Sequence, residues 1–491
     1  MIGDELWGPR RAGDDPGDGP GADDEPASGV EDGAQVDAED ETASGVGDGA
    51  GDGDDDGAVA WGRPDRLACL VLLLASAVLV GLHVHAYPEL SPIDELQHVD
   101  YVIEAGRLEV PRVNDRVGQE AMSEAACRGV DVPQYVGPPC GLDEYLPDEF
   151  QERGVNTAAS QFPPYYTVTG LASRAIVATG LVDSQVTAAR LVGIGWFGGA
   201  WCVVWYVLAA LGISRWNRVI PIVLMMAMPL TLFHAATVNA DAVLLLTGAL
   251  ITLATVRFEA GRLRWWWLVA VDVAMFFVEA TNLLAIAATG AYLLVRVTAR
   301  PGTSPLRRAV PLLVLPLAAL LRLRIAHPIH RWLYPPSPRT VTAPMFSERR
   351  VSGVDWDRVL QQLGAEFTPV TSAYNPPFLR SQITYSFIAL TNWVLIGTMF
   401  VTAVGLVAHR RTVWLTRVTM LALLAAGPFY TFSFARFSGA DFPAPGRFGL
   451  PLIPLVVVGA AAALDGRPAR IIAGAVAAAS MANTLWLLLT P

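Results

Sequence analysis

From residue 67 to residue 489 the chain is a series of apolar runs, each near the roughly 20 residues a helix needs to cross the hydrocarbon core of a bilayer. The runs fall at about 67–86, 188–211, 217–236, 240–257, 264–280, 281–297, 309–325, 384–408, 412–433, 446–464 and 470–489, which makes about eleven spans. Composition points the same way: 53% apolar residues with only 16% charged over 491 residues lies outside the range of a soluble enzyme of this size. The expected fold class is an all-α polytopic membrane protein, with the bilayer as its solvent.

Residues 1–62 are different in kind. They carry 19 Asp or Glu against two Arg, Arg10 and Arg11, with Gly and Ala filling most of the rest. Such a segment buries too little apolar area to offset its ordering entropy, so a disordered acidic tail is expected. The net charge of −11 then divides into −17 for the tail and +6 for the remainder, so the acidity of the chain says nothing about ligands of the membrane body. No Lys occurs; all 35 basic residues are Arg.

The first apolar run follows Arg63 and Arg66 and has no small-residue cleavage site. It reads as an uncleaved signal anchor in the cell membrane with a cytoplasmic N-terminus. Residues 165–182 are apolar enough to suggest one more span, and the positive-inside rule decides against it. If they do not cross, the short Arg-rich loops at Arg215/Arg218, Arg257/Arg262/Arg264, Arg296/Arg300/Arg307/Arg308, Arg410/Arg411 and Arg467/Arg470 all join Arg63 and Arg66 in the cytoplasm. The segment is therefore expected to lie along the outer interface, with Arg174 as an interfacial residue. This topology leaves a first external loop at 87–187 and a second at 326–383, the latter with Trp332, Tyr334, Trp356 and Tyr374 expected to face an acceptor. Cys127 and Cys140 share the first loop, on the oxidising side, which favours a disulfide. Cys69 and Cys202 lie within spans and read as packing residues.

Chemistry-bearing residues concentrate at the expected outer face. After the first span comes Asp94-Glu95-Leu-Gln-His98, where Pro92 suits an early helix position and Asp94 and His98 share a helix face. An adjacent carboxylate pair with a histidine one turn on can serve as general base or as ligands for a divalent metal. A first helix turn enriched in acids to suit the dipole explains the same residues. Arg190 at the outer end of the second span and Asp241, in Asn239-Ala-Asp241 of the fourth, are either a structural pair or site residues, because an unpaired charge at that depth is costly. Arg447, in Gly446-Arg447-Phe448, can hold a phosphate or snorkel to lipid headgroups.

In this order, Asp94-Glu95, Pro163-Pro164-Tyr165-Tyr166, Ala189-Arg190-Leu191, Asn239-Ala-Asp241 and Gly446-Arg447-Phe448 resemble the GT-C superfamily of membrane glycosyltransferases, most closely its predicted membrane proteins of unknown function. The resemblance covers roughly residues 66–464 of a domain expected to run over 66–491. It implies a first external loop carrying juxtamembrane helices and transfer of a sugar from a polyprenyl phosphate to a glycan, lipid or protein acceptor. Asp94, Glu95 and Asp241 would be catalytic. Arg190, Arg447, Tyr165 and Tyr166 would engage the donor phosphate, and Asp94, His98 and Asp241 would hold a divalent metal if one is used. No nucleic-acid partner is expected. The rival readings are a secondary transporter or lipid flippase, against which the absence of an internal repeat counts, and a non-catalytic envelope-assembly protein.

Overall fold

A run of Leu, Val and Ala in lipid satisfies its backbone only as helix, and the apolar runs do become helices. In the computed structural model the described residues are 63–132, 136–298, 305–338, 343, 351–365, 382–407, 410–442 and 445–490. The acidic segment 1–62, with its expected disorder, lies outside them, as does Tyr374 of the second long loop. Among the described residues the regular structure is helical, with two isolated β-bridges, Leu90 with Val130 and Arg116 with Val155.

The first half runs α1 (Arg63–Ala86), α2 (Glu95–Gly106), α3 (Gln119–Arg128), α4 (Pro164–Ala178), α5 (Gln185–Ala210), α6 (Arg215–Met226), α7 (Pro229–Ala236) and α8 (Leu244–Glu259). The second half runs α9 (Trp265–Val278), α10 (Leu283–Thr298), α11 (Pro305–Leu320), α12 (His327–Leu333), α13 (Trp356–Gln361), α14 (Gln382–Ala403), α15 (Arg410–Ser433), α16 (Ile453–Ala462) and α17 (Arg467–Leu489). Among the described residues seven helices are long and apolar enough to cross a membrane. The expected run at 217–236 is instead the pair α6 and α7, bent by 67° at a short break before Pro229. The runs at 264–280, 281–297 and 446–464 form shorter apolar helices. Two of these share one cause: Glu279 interrupts the backbone between α9 and α10, and its carboxylate caps the turn that follows by accepting from Ala280 N at 2.8 Å. The third opens as a 3-10 helix over Gly446–Leu452 before α16 begins.

Among the described residues two large apolar cores, with a small third cluster around Leu224, organise the fold. The larger joins α1, α5, α8 and α16, with Trp201 and Phe197 among its largest fully buried side chains and every residue of α16 buried. The smaller one forms a cap at one end of the bundle from α2, α3, α4, the first turn of α5 and the segment 238–243 that leads into α8. Cys127 and Cys140 are disulfide-bonded within this cap.

Helix α4 replaces the ambiguous segment 165–182. Its 15 residues are short of the roughly 20 needed to span, and it lies packed against α2. Pro163 and Pro164 set its abrupt start, where missing N–H groups cost nothing. Its approach to α2 is backbone to backbone: a Cβ at Gly170 would lie 2.6 Å from Gly106 N, and Arg174 donates to the Gly106 carbonyl across the same seam.

Candidate functional site

The turn from α1 into α2 decides which acid faces which way. Asp94 precedes α2 in the left-handed region, φ 53° and ψ 14°, and its side chain makes no capping hydrogen bond. With Asp94 in this left-handed turn and Glu95 opening the helix, the two side chains part company. Glu95 turns inward and is completely buried. Asp94 turns into a cleft of about 470 Å³ between the cap and the bundle.

Glu95 meets Arg190, and the pair is saturated. Arg190 Nε and Nη2 reach the two Glu95 oxygens at 2.8 Å each, a bidentate fork. The same carboxylate accepts from Ser91 N at 2.6 Å and Val238 N at 2.8 Å. The remaining Arg190 donors go to the carbonyls of Tyr87 at 2.9 Å and Glu89 at 2.7 Å. This lock joins the α1–α2 turn, α5 and the segment leading to α8. It corrects two expectations: Arg190 pairs with Glu95 and not with Asp241, and neither partner lines the cleft where it could serve as phosphate ligand or catalytic acid.

Asp241 lies in a 3-10 turn ahead of α8 and is held by Arg447, whose Nε is 3.0 Å from its carboxylate. Both line the cleft with Asp94, His98, Gln161 and Glu279. Burial raises the Asp94 carboxyl above the usual carboxylate range, and the neighbouring Arg447 guanidinium offsets part of that. Burial, with Arg447 adding to it, pushes the His98 imidazole down to about 3, so the ring is neutral at physiological pH. The wall also carries six aromatic side chains, Phe276, Phe429, Tyr430, Phe434, Phe437 and Phe448.

Tyr165 and Tyr166 are buried behind this wall, which corrects their expected contact with a donor phosphate. Tyr166 acts through others, its hydroxyl lying 2.8 Å from His98 Nδ1 and donating to Gln161 Oε1. Asp94, His98 and Asp241 line one cleft, yet among the described residues no three His, Cys, Asp or Glu side chains form a group that could hold a metal ion. His98 commits Nδ1 to Tyr166, and Asp241 commits an oxygen to Arg447.

Glu279 and Gln161 are the cleft residues that sequence reasoning missed as site residues. Glu279 had a signal, a lone acid between two strongly apolar runs. Gln161 had none beyond its place ahead of Pro163. Arg322 stands behind the wall, over the rings of Phe162 and Phe276 at 4.8 and 5.0 Å. No family model, curated protein or solved structure matches the chain, so its chemistry rests on this geometry.

Proposed function

We propose that the chain is a membrane glycosyltransferase that moves a sugar from a polyprenyl-phosphate donor to a glycan, lipid or protein acceptor on the external face of the cell membrane. In this reading the body has about eleven spans, the N-terminus is cytoplasmic and the fold is of GT-C type. The observation that carries it is the make-up of one cleft: an uncapped carboxylate, a guanidinium held by a second carboxylate, and an aromatic wall. A lipid-linked phosphosugar presents matching parts, with an anionic phosphate between an apolar chain and a polar ring.

Asp94 takes the proton from the acceptor hydroxyl as that oxygen attacks the anomeric carbon. The bond from the anomeric carbon to the phosphate oxygen breaks, and its electron pair leaves on the polyprenyl phosphate. Arg447 stabilises that charge, while Asp241 fixes the guanidinium in place and keeps it from relaxing toward solvent. Attack opposite the leaving phosphate inverts the anomeric centre.

Purified protein in detergent should transfer label from a radiolabelled polyprenyl-phosphate sugar to an acceptor fraction, and Arg447→Gln should lower that rate about 10²–10³-fold. The transporter or flippase reading draws on the broken segment formed by α6 and α7. Substrate uptake or lipid flipping in vesicles, with no transfer in detergent, would establish it instead.

Orientation has its own check. In a chain with Cys69 and Cys202 replaced by Ser, Arg262→Cys should resist a membrane-impermeant maleimide on intact cells and react after permeabilisation. Labelling from outside would reverse the topology and remove the cleft from the external face.

A further inference from the structure

Two cleft residues, His98 and Gln161, each have one polar atom engaged and one open. The link between them is Tyr166, fully buried and stacked on Tyr101 with ring centroids 3.8 Å apart. Its hydroxyl stands between His98 Nδ1, at 2.8 Å, and Gln161 Oε1. A phenol has a single hydrogen. Donated to Gln161 Oε1, it obliges the phenol oxygen to accept from His98 Nδ1–H. The neutral imidazole then carries its lone pair on Nε2, and the Gln161 amide has N–H groups left over.

The side-chain hydrogen bonds of this pair engage only His98 Nδ1 and Gln161 Oε1, so His98 Nε2 and the other Gln161 amide atom have no partner among the described residues, and His98 is only 8% exposed. Both residues line the cleft. Turning the amide over reverses every bond in the chain: Tyr166 donates to His98 Nδ1, His98 offers Nε2–H, and Gln161 offers Oε1. In either direction the pair presents the cleft with one donor and one acceptor. A phosphate or carbonyl oxygen can only accept, and an ammonium group can only donate. A hydroxyl does both, and it satisfies the pair in either state.

We propose that His98, Tyr166 and Gln161 form a hydroxyl-recognition subsite, in which His98 and Gln161 together bind one hydroxyl of the sugar and Tyr166 couples their polarities. This deepens the glycosyltransferase reading and rests on the cleft taking a sugar. It makes the subsite selective by position, because a sugar that fills the cleft but lacks that hydroxyl leaves the cleft-facing His98 Nε2 unpaired.

The test uses the full chain in detergent with ¹⁵N-labelled histidine, the His98 resonance being identified by its loss in His98→Gln. A panel of methyl hexosides and their monodeoxy analogues serves as probe, free of lipid and phosphate. At least one hexoside should shift the His98 ring nitrogens, and deletion of one particular hydroxyl should weaken its binding about tenfold. Tyr166→Phe should bring that preference close to one. An unresponsive His98, or a preference unchanged in Tyr166→Phe, overturns the subsite. A responsive His98 in protein that transfers no sugar from polyprenyl phosphates upholds the subsite and removes the transfer reading. Transfer by protein whose His98 ignores every hexoside does the reverse.

Discussion

Replacing Asp94 by Asn should lower sugar transfer by about 10²–10⁴-fold, the range for loss of a positioned general base, while expression, membrane insertion and thermal stability stay as in the parent. The substitution is chosen for the backbone: Asp94 sits at φ 53°, a conformation Asn tolerates and Ala does not. Asn keeps the size and polarity and loses only the basicity. The pH profile provides a second readout. Burial raises the folded pKa of Asp94, so the ionised base is present above that raised value and is lost as pH falls through it. The acid limb of the rate should therefore lie above the ordinary carboxylate range in the parent and disappear in the residual activity of Asp94→Asn. Near-parental transfer by that variant would remove Asp94 from the chemistry.

Replacing Arg190 by Met should destabilise the fold by about 3–5 kcal/mol, because it strands the buried Glu95 carboxylate without a counter-charge. The measurement is the thermal midpoint of detergent-purified protein, together with the yield of monodisperse material. Glu95→Gln should cost less, since the amide oxygen can still accept from Ser91 N or Val238 N. Changing both, Arg190→Met with Glu95→Leu, should recover part of the single-variant loss, as apolar replacements of buried ion pairs often do. A phosphate-binding role would behave differently: Arg190→Met would lose transfer and keep its thermal midpoint.

The two predictions concern neighbouring acids that sequence treated alike. Sequence read Asp94 and Glu95 as an acidic pair after the first span and set Asp94 on one face with His98; Asp94 stands ahead of the helix, and both it and His98 line one cleft. What sequence could not show was the left-handed turn at Asp94, which sends the two carboxylates to opposite environments. One side chain met a buried guanidinium and saturated it. The other stayed uncapped.

Arg190 and Arg447 illustrate the same limit. Each was a cation at an expected outer rim with a structural and a functional explanation. Only their partners separate them, Glu95 for one and Asp241 for the other, at sequence separations no periodicity can report. The same holds for Tyr166, whose aromatic run suggested a ligand contact and whose place is behind the wall, wired to His98 and Gln161.

The sequence by itself determined the helical class and the position of nearly every apolar helix, because hydropathy and backbone satisfaction in lipid are local properties. It also marked Cys127 and Cys140 as partners through their shared loop, and their bond is present. The tertiary structure decided where apolar runs break, as at Glu279 and at the 67° bend before Pro229. It decided too which charges cancel in pairs and which remain open to the cleft. Those outcomes depend on contacts between residues far apart in the chain, where the cost of burying an unpaired charge selects one partner among several.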